Sequence, residues 1–63
     1  MGSTTKLLTL SETAQRLRKS DKSLRWMIHE GKAPKSALIG NRRIFRESDV
    51  DAFIEAAFAE AKA

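Results

Sequence analysis

Two short amphipathic stretches with hardly any chain between them constrain this sequence more than any other feature. In "TLSETAQRLR" Thr9 and Glu12 stand three residues apart, the form of a capping box, so a helix is expected from about Leu10 to Arg18. Leu10, Ala14 and Leu17 share one face of it at i, i+4 and i+7. Gln15, Arg16, Arg18 and Lys19 stay in water. "KSDKS" then breaks the rhythm. Ser20 is a good N-cap, and Asp21 suits the positive end of a helix dipole. A second helix is expected from about Asp21 to Glu30, closed by Gly31 just past its end. Leu24 and Ile28, with Met27 beside them, mark its buried stripe. Only about two to four residues remain between the two helices, the spacing of a helix-turn-helix.

The flanking segments complete an architecture. "KLLTL", residues 6–10, reads either as a brief strand or as the lead-in to the first helix. In "GKAPKS" Pro34 forbids helix and holds Ala33 extended. "ALIGNRRIFR" places β-branched and aromatic residues around Gly-Asn, a hairpin signal. A two-residue loop sets Ile39 opposite Arg42; a three-residue loop sets it opposite Arg43. "ESDVDAFIEAAFAEAKA" is a third helix, with Glu47, Asp49 and Asp51 crowding its N-terminal turns. Its apolar face is Val50, Phe53, Ile54, Ala57 and Phe58. The fold class is therefore α+β, mostly helical: a small winged helix-turn-helix. Its order is short strand, helix, turn, recognition helix, two-stranded wing and C-terminal helix. A lone hairpin is barely stable in water, so the wing must root in the helical core and leave its tip free.

The chain has 63 residues and no cysteine. A domain this small buries only about 60% of the surface its unfolded chain exposes, and no disulfide or thiolate metal site supports it. One histidine, His29, makes no metal site alone. Residues 1–6 are expected to be a flexible tail and residues 7–63 a single winged-helix domain. No apolar run approaches the roughly 18 residues of a membrane span. The start "MGSTTK" has no signal-peptide core, and Lys6 stands where myristoylation requires Ser or Thr. The expectation is a cytoplasmic protein without membrane contact. Nothing pairs a nucleophile with a base, cradles a phosphate or clusters metal ligands, and Asp49 and Asp51 read as helix dressing. No enzyme and no cofactor is expected.

Charge is divided unevenly. Residues 1–46 carry eleven Lys/Arg and three Asp/Glu, a net of +8, while residues 47–63 carry one Lys and five Asp/Glu, a net of −4. A basic body points to a polyanionic partner. With Leu24 and Ile28 inward, Lys22, Ser23, Arg25, Trp26 and His29 ring the outer faces of the second helix, which fits a DNA major groove. Arg25 is the foremost candidate for a base contact, since its planar fork matches guanine. Lys22 and Ser23 suit phosphate or mixed contacts. Trp26 either completes the core or meets the DNA backbone, and His29 reads as a surface residue. The helix start near Ser20 offers backbone amides to a phosphate, and Lys19 adds charge there. Gly40 permits the positive φ of the wing turn. Asn41, Arg42 and Arg43 then project toward a minor groove, which attracts arginine where it is narrow. Arg46 either supports the wing at its base or touches phosphate.

Three segments carry a resemblance. "LLTLSETAQRL", "SLRWMIHEGKAPK" and "LIGNRRIFRESDVDAFI" resemble, in order and spacing, the excisionase-type winged-helix family over residues 7 to about 55. "LRW" also looks like the L-R-Y core of the related multidrug and mercury regulators. The resemblance implies a recombination directionality factor of bacteriophage type without catalysis of its own. Such proteins bind direct repeats in attachment-site DNA, bend it, bind cooperatively with neighbouring copies and recruit or orient a tyrosine integrase for excision. It places this one in the bacterial host cell, with the nucleoid. By matched position it implies groove contacts from Lys22, Ser23, Arg25 and Trp26, and wing contacts from Asn41, Arg42 and Arg43. Many members have a small residue or glycine in the inter-helix turn; here Arg18 and Lys19 stand in it. Some members end just past the wing, whereas here a third helix follows. Phe53, Ala57 and Phe58 of that helix are a candidate self-association surface. Two other roles compete. A small winged-helix regulator of phage or plasmid genes has the same fold, although such regulators usually carry an effector domain or a long dimerisation helix. A protein-binding adaptor has a basic surface for an acidic partner.

Overall fold

The structure, a computed structural model, describes residues 6–61. The expected tail, apart from Lys6, and the last two residues of the expected domain lie outside the described residues. Six elements follow one another: β1 (Leu7–Thr9), α1 (Leu10–Arg16), α2 (Asp21–His29), β2 (Ser36–Ile39), β3 (Arg42–Arg46) and α3 (Glu47–Ala61). This is the winged helix-turn-helix read from the sequence. "KLLTL" resolves into the strand. β1 pairs antiparallel with β3 (Leu7↔Arg46, Leu8↔Phe45, Thr9↔Ile44), so the sheet order is β1-β3-β2.

The core takes one residue from every element except β2. Leu8, Ala14, Leu24, Phe45 and Val50 are buried together, and Leu10, Leu17, Met27, Ile28, Ala33 and Ile54 pack around them. Full burial of a side chain such as Leu24 or Phe45 is worth about 1.5–3 kcal/mol. Leu8 and Phe45 are cross-strand partners on the inner face of the sheet. The wing is thereby rooted through β3 alone, while β2 hangs on β3 by its ladder.

Local chemistry sets the element ends. The Thr9 hydroxyl accepts the Glu12 amide at 3.1 Å and the Glu12 carboxylate accepts the Thr9 amide at 2.8 Å, closing the capping box. Ser20 Oγ accepts the Ser23 amide at 3.0 Å at the start of α2. At its end Gly31 takes φ +75. The Gly31 amide donates to the Ile28 carbonyl and the Lys32 amide to the Met27 carbonyl, a Schellman motif. α2 thus closes at His29, one residue short of the expected Glu30.

α1 ends the same way and earlier than expected. Its last helical residue is Arg16, not Arg18. Arg18 has φ +57; its amide donates to the Gln15 carbonyl at 3.0 Å and the Lys19 amide to Ala14 at 2.8 Å. An arginine therefore occupies the left-handed position that glycine usually fills. The buried face of α1 also differs from the apolar rhythm. Ala14 and Thr13 are buried, Leu10 and Leu17 only partly, and among the described residues the Thr13 hydroxyl has no hydrogen-bond partner.

α3 starts directly after β3. Its first amide, Glu47, donates to the Lys6 carbonyl at 2.8 Å, and the Glu47 carboxylate meets Arg16 at 2.7 Å. Val50 is buried and Phe53 and Ile54 are half-buried, whereas residues 55–61 are all exposed. The helix therefore runs about two turns beyond the core. Among the described residues no helix is long and apolar enough to cross a membrane, and no cluster of His, Asp or Glu has the makings of a metal site.

Candidate nucleic-acid interface

Helical periodicity divides α2 cleanly. Leu24 is buried and Ile28 half-buried, while Lys22, Ser23, Arg25, Trp26 and His29 are exposed. Trp26, which the residues alone left open between completing the core and meeting the DNA backbone, is 61% exposed. Its ring lies against that of His29, with centroids 5.4 Å apart.

The hairpin register is settled by its turn. β2 pairs with β3 as Ser36↔Phe45, Ala37↔Ile44, Leu38↔Arg43 and Ile39↔Arg42, leaving a two-residue loop. Gly40 and Asn41 have φ +58 and +67, both positive, as a type I′ turn requires. A Cβ at Gly40 would meet nothing within 4 Å, so the backbone angle alone favours glycine there.

Strand alternation then separates the arginines. Arg43 points to the same side as Phe45, Arg42 to the other. Arg43 is half-buried and donates from its guanidinium to Ser36 Oγ at 3.0 Å, whereas Arg42 is exposed. Ser36 thus orients one of the two wing cations. Only the register reveals this, because Ser36 and Arg43 are diagonal neighbours across the ladder.

Between α2 and the wing lies an open groove of about 490 Å³. Arg25 and Ile28 line it from the helix, Asn41, Arg42 and Arg43 from the wing, and Ser11 from the first turn of α1. Among the described residues none that lines it is acidic. The structure therefore brings Arg25 together with the wing residues on one concave surface. Ser11, which no motif marked, donates to the Asp21 carboxylate at 2.5 Å and ties the two helix starts together. Leu38, 65% exposed, also faces this groove.

The remaining candidates lie elsewhere. Arg46 is paired with Asp49 at 2.7 Å and borders a separate hollow on the outer face of the sheet, with Leu7, Ile39 and Ile44. It stands at the base of the wing and is not part of the groove. Ser20 is occupied as the N-cap. Lys19 and Lys22 lie on the opposite flank of α2, beside Trp26 and His29. Phe53 is half-buried, while Ala57 and Phe58 are exposed on the projecting part of α3.

A family model described as a helix-turn-helix domain matches residues 7–57, from β1 well into α3. No curated protein and no solved structure gives a match.

Proposed function

The chain belongs to the helix-turn-helix domain family, and on that premise we propose that it is a sequence-specific duplex-DNA-binding and DNA-bending protein that acts as an excisionase. The observation that carries the DNA reading is the shared groove: Arg25 of α2 and Asn41, Arg42 and Arg43 of the wing open onto one acid-free surface. α2 enters a major groove, where Arg25 reads a guanine edge by its two-pronged donor face. Lys22 and Ser23 contact phosphates or base edges beside it. The wing tip, Gly40 to Arg43, reaches the adjacent minor groove, and the strand between the two grooves passes over the hollow that separates them. Free backbone amides near Ser20 at the start of α2, together with Lys19, add phosphate contacts.

The excision role is supported by the resemblance of three ordered segments to excisionase-type proteins. The projecting half of α3, with exposed Ala57 and Phe58, offers a surface for a neighbouring copy or for a tyrosine integrase. A gel shift on attachment-site DNA tests the DNA reading. Integrase-dependent excision in vitro tests the role. DNA binding without any effect on excision would make the chain a transcriptional regulator instead.

A further inference from the structure

β2 carries two large apolar side chains on the surface. Leu38 is 65% exposed and Ile39 56%. They are consecutive in the strand, so they stand on opposite faces of the wing. The hollows on either side agree: Leu38 borders the groove shared with α2, and Ile39 borders the hollow on the outer face of the sheet. Their cross-strand partners are Arg43 and Arg42, and the turn follows at once. On the groove face the Arg43 guanidinium is drawn back to Ser36, two residues further from the tip than Leu38. The wing therefore ends as a blade, with Asn41 and Arg42 at its edge and an apolar side chain on each flat.

Thickness decides what such a blade does. Packed sheets lie about 10 Å apart, so a ribbon with full-sized side chains on both faces is roughly 10 Å thick. A B-DNA minor groove is about 6 Å wide. The turn at Gly40 is slim enough to enter it; the ribbon at Leu38 and Ile39 is not. We propose that Leu38 and Ile39 together prise the minor groove open as the wing seats, and that this opening bends the duplex. The inference rests on the reading of the wing as a minor-groove element and supplies the residues that do the bending.

The chemistry of the groove suits the pair. Its walls are rows of deoxyribose, whose apolar edges match Leu38 and Ile39. Contact with them takes two exposed apolar side chains out of water, which offsets the cost of deforming the duplex. Apolar side chains wedged in from the minor groove turn DNA toward its major groove, hence toward α2 and Arg25. Asn41 and Arg42 draw the tip in, and the apolar pair sets how far the groove must open.

The experiment binds full-length protein to a duplex that the wild type has selected from a random-sequence pool, and reads the bend by electrophoresis of circularly permuted fragments. The wild type is expected to bend the duplex. Leu38→Thr/Ile39→Thr thins the blade, keeps residues that favour a strand and should lose most of that bend. Its salt dependence should equal that of the wild type, since neither side chain carries charge. At the wing site a flexible TA step should bind the wild type roughly tenfold better than a stiff A-tract, and the double variant should lose that preference. Leu38→Phe thickens the blade and should enlarge the bend, which decides the matter even where the double variant melts early. A folded double variant that bends DNA as the wild type does overturns the proposal, as does an unchanged bend with Leu38→Phe, a straight wild-type complex or tighter wild-type binding to the A-tract. Failure of the wild type to bind any duplex overturns the DNA reading itself, a result distinct from binding without bending.

Discussion

Replacing Arg18 with glycine should make this protein more stable while removing one of its cations. Arg18 closes α1 with φ +57, where an L-residue's Cβ crowds the following carbonyl at a cost of about 1–2 kcal/mol. Glycine lacks the Cβ and escapes that cost. It gains freedom in the unfolded chain, which offsets roughly 0.4–1 kcal/mol of the benefit. The two Schellman hydrogen bonds, Arg18 to Gln15 and Lys19 to Ala14, are backbone bonds and survive the change. Net stabilisation of about 0.5–1 kcal/mol follows, or ~2–8 °C in Tm for a domain of this size.

The assay is thermal melting by circular dichroism on wild type, Arg18→Gly and Arg18→Ala. Alanine removes the charge and the long side chain but keeps the Cβ, so it should melt close to wild type. If glycine and alanine melt together, the left-handed backbone at position 18 carries no strain and the reasoning fails. The pair also tests the turn's role in binding. The two variants share the same charge, so any difference in their affinity for duplex reports the geometry of the turn.

Other consequences are as direct. Thr13→Val should stabilise the protein by about 1 kcal/mol in urea unfolding, because the Thr13 hydroxyl is fully buried without a partner among the described residues. Arg25→Ala should relax preference at one base pair by about 1–3 kcal/mol, whereas equal loss on all sequences would make Arg25 a phosphate clamp; the check is a competition gel shift. Arg42→Ala should flatten the dependence of log K on log salt by about 0.9 for each phosphate the side chain neutralises, measured by anisotropy across a salt series. Phe58→Asp should leave the melting curve intact, since Phe58 is 73% exposed, and abolish any dimer seen for wild type in sedimentation. A wild type that sediments only as monomer refutes self-association through α3.

What the sequence disclosed follows from the range of the interactions involved. The capping box at Thr9 and Glu12, the N-cap at Ser20 and the stop at Gly31 are bonds among neighbours, and they place helix starts and one helix end nearly to the residue. Gly40-Asn41 is also local, but it left two registers open. Only the positive φ at both residues selects the pairing Ile39↔Arg42. The end of α1 was hidden because an arginine there signals helix, and the left-handed backbone at Arg18 is one that non-glycine residues rarely adopt. Thr13 was hidden because its polarity argues for the surface. Trp26 lies two residues from both Leu24 and Ile28, so periodicity turns it outward, and only its large apolar ring argued for the core. The tie between Ser36 and Arg43 requires the register first. The groove itself, with Arg25 opposite the wing arginines, is a property of the assembled helix and sheet and of neither segment alone.

The flimsy finger that carries Arg42 and Arg43 is stable because its inner strand belongs to the core. Along β3 a completely buried residue, Phe45, lies two positions from Arg43 and three from Arg42. It is paired with Leu8 across the ladder and shares one buried cluster with Leu24, the buried residue of α2. One cluster of side chains thus fixes both the helix that carries Arg25 and the strand that carries the wing cations. β2 adds no residue to that cluster, so its release need not disturb the hub. The cations on β3 and α2 are accordingly the rigid part of the surface, with Ser36 as the link by which β2 holds Arg43. Any change that loosens Phe45 must loosen the spacing between helix and wing as well. In this chain stability and the geometry of the groove are one property.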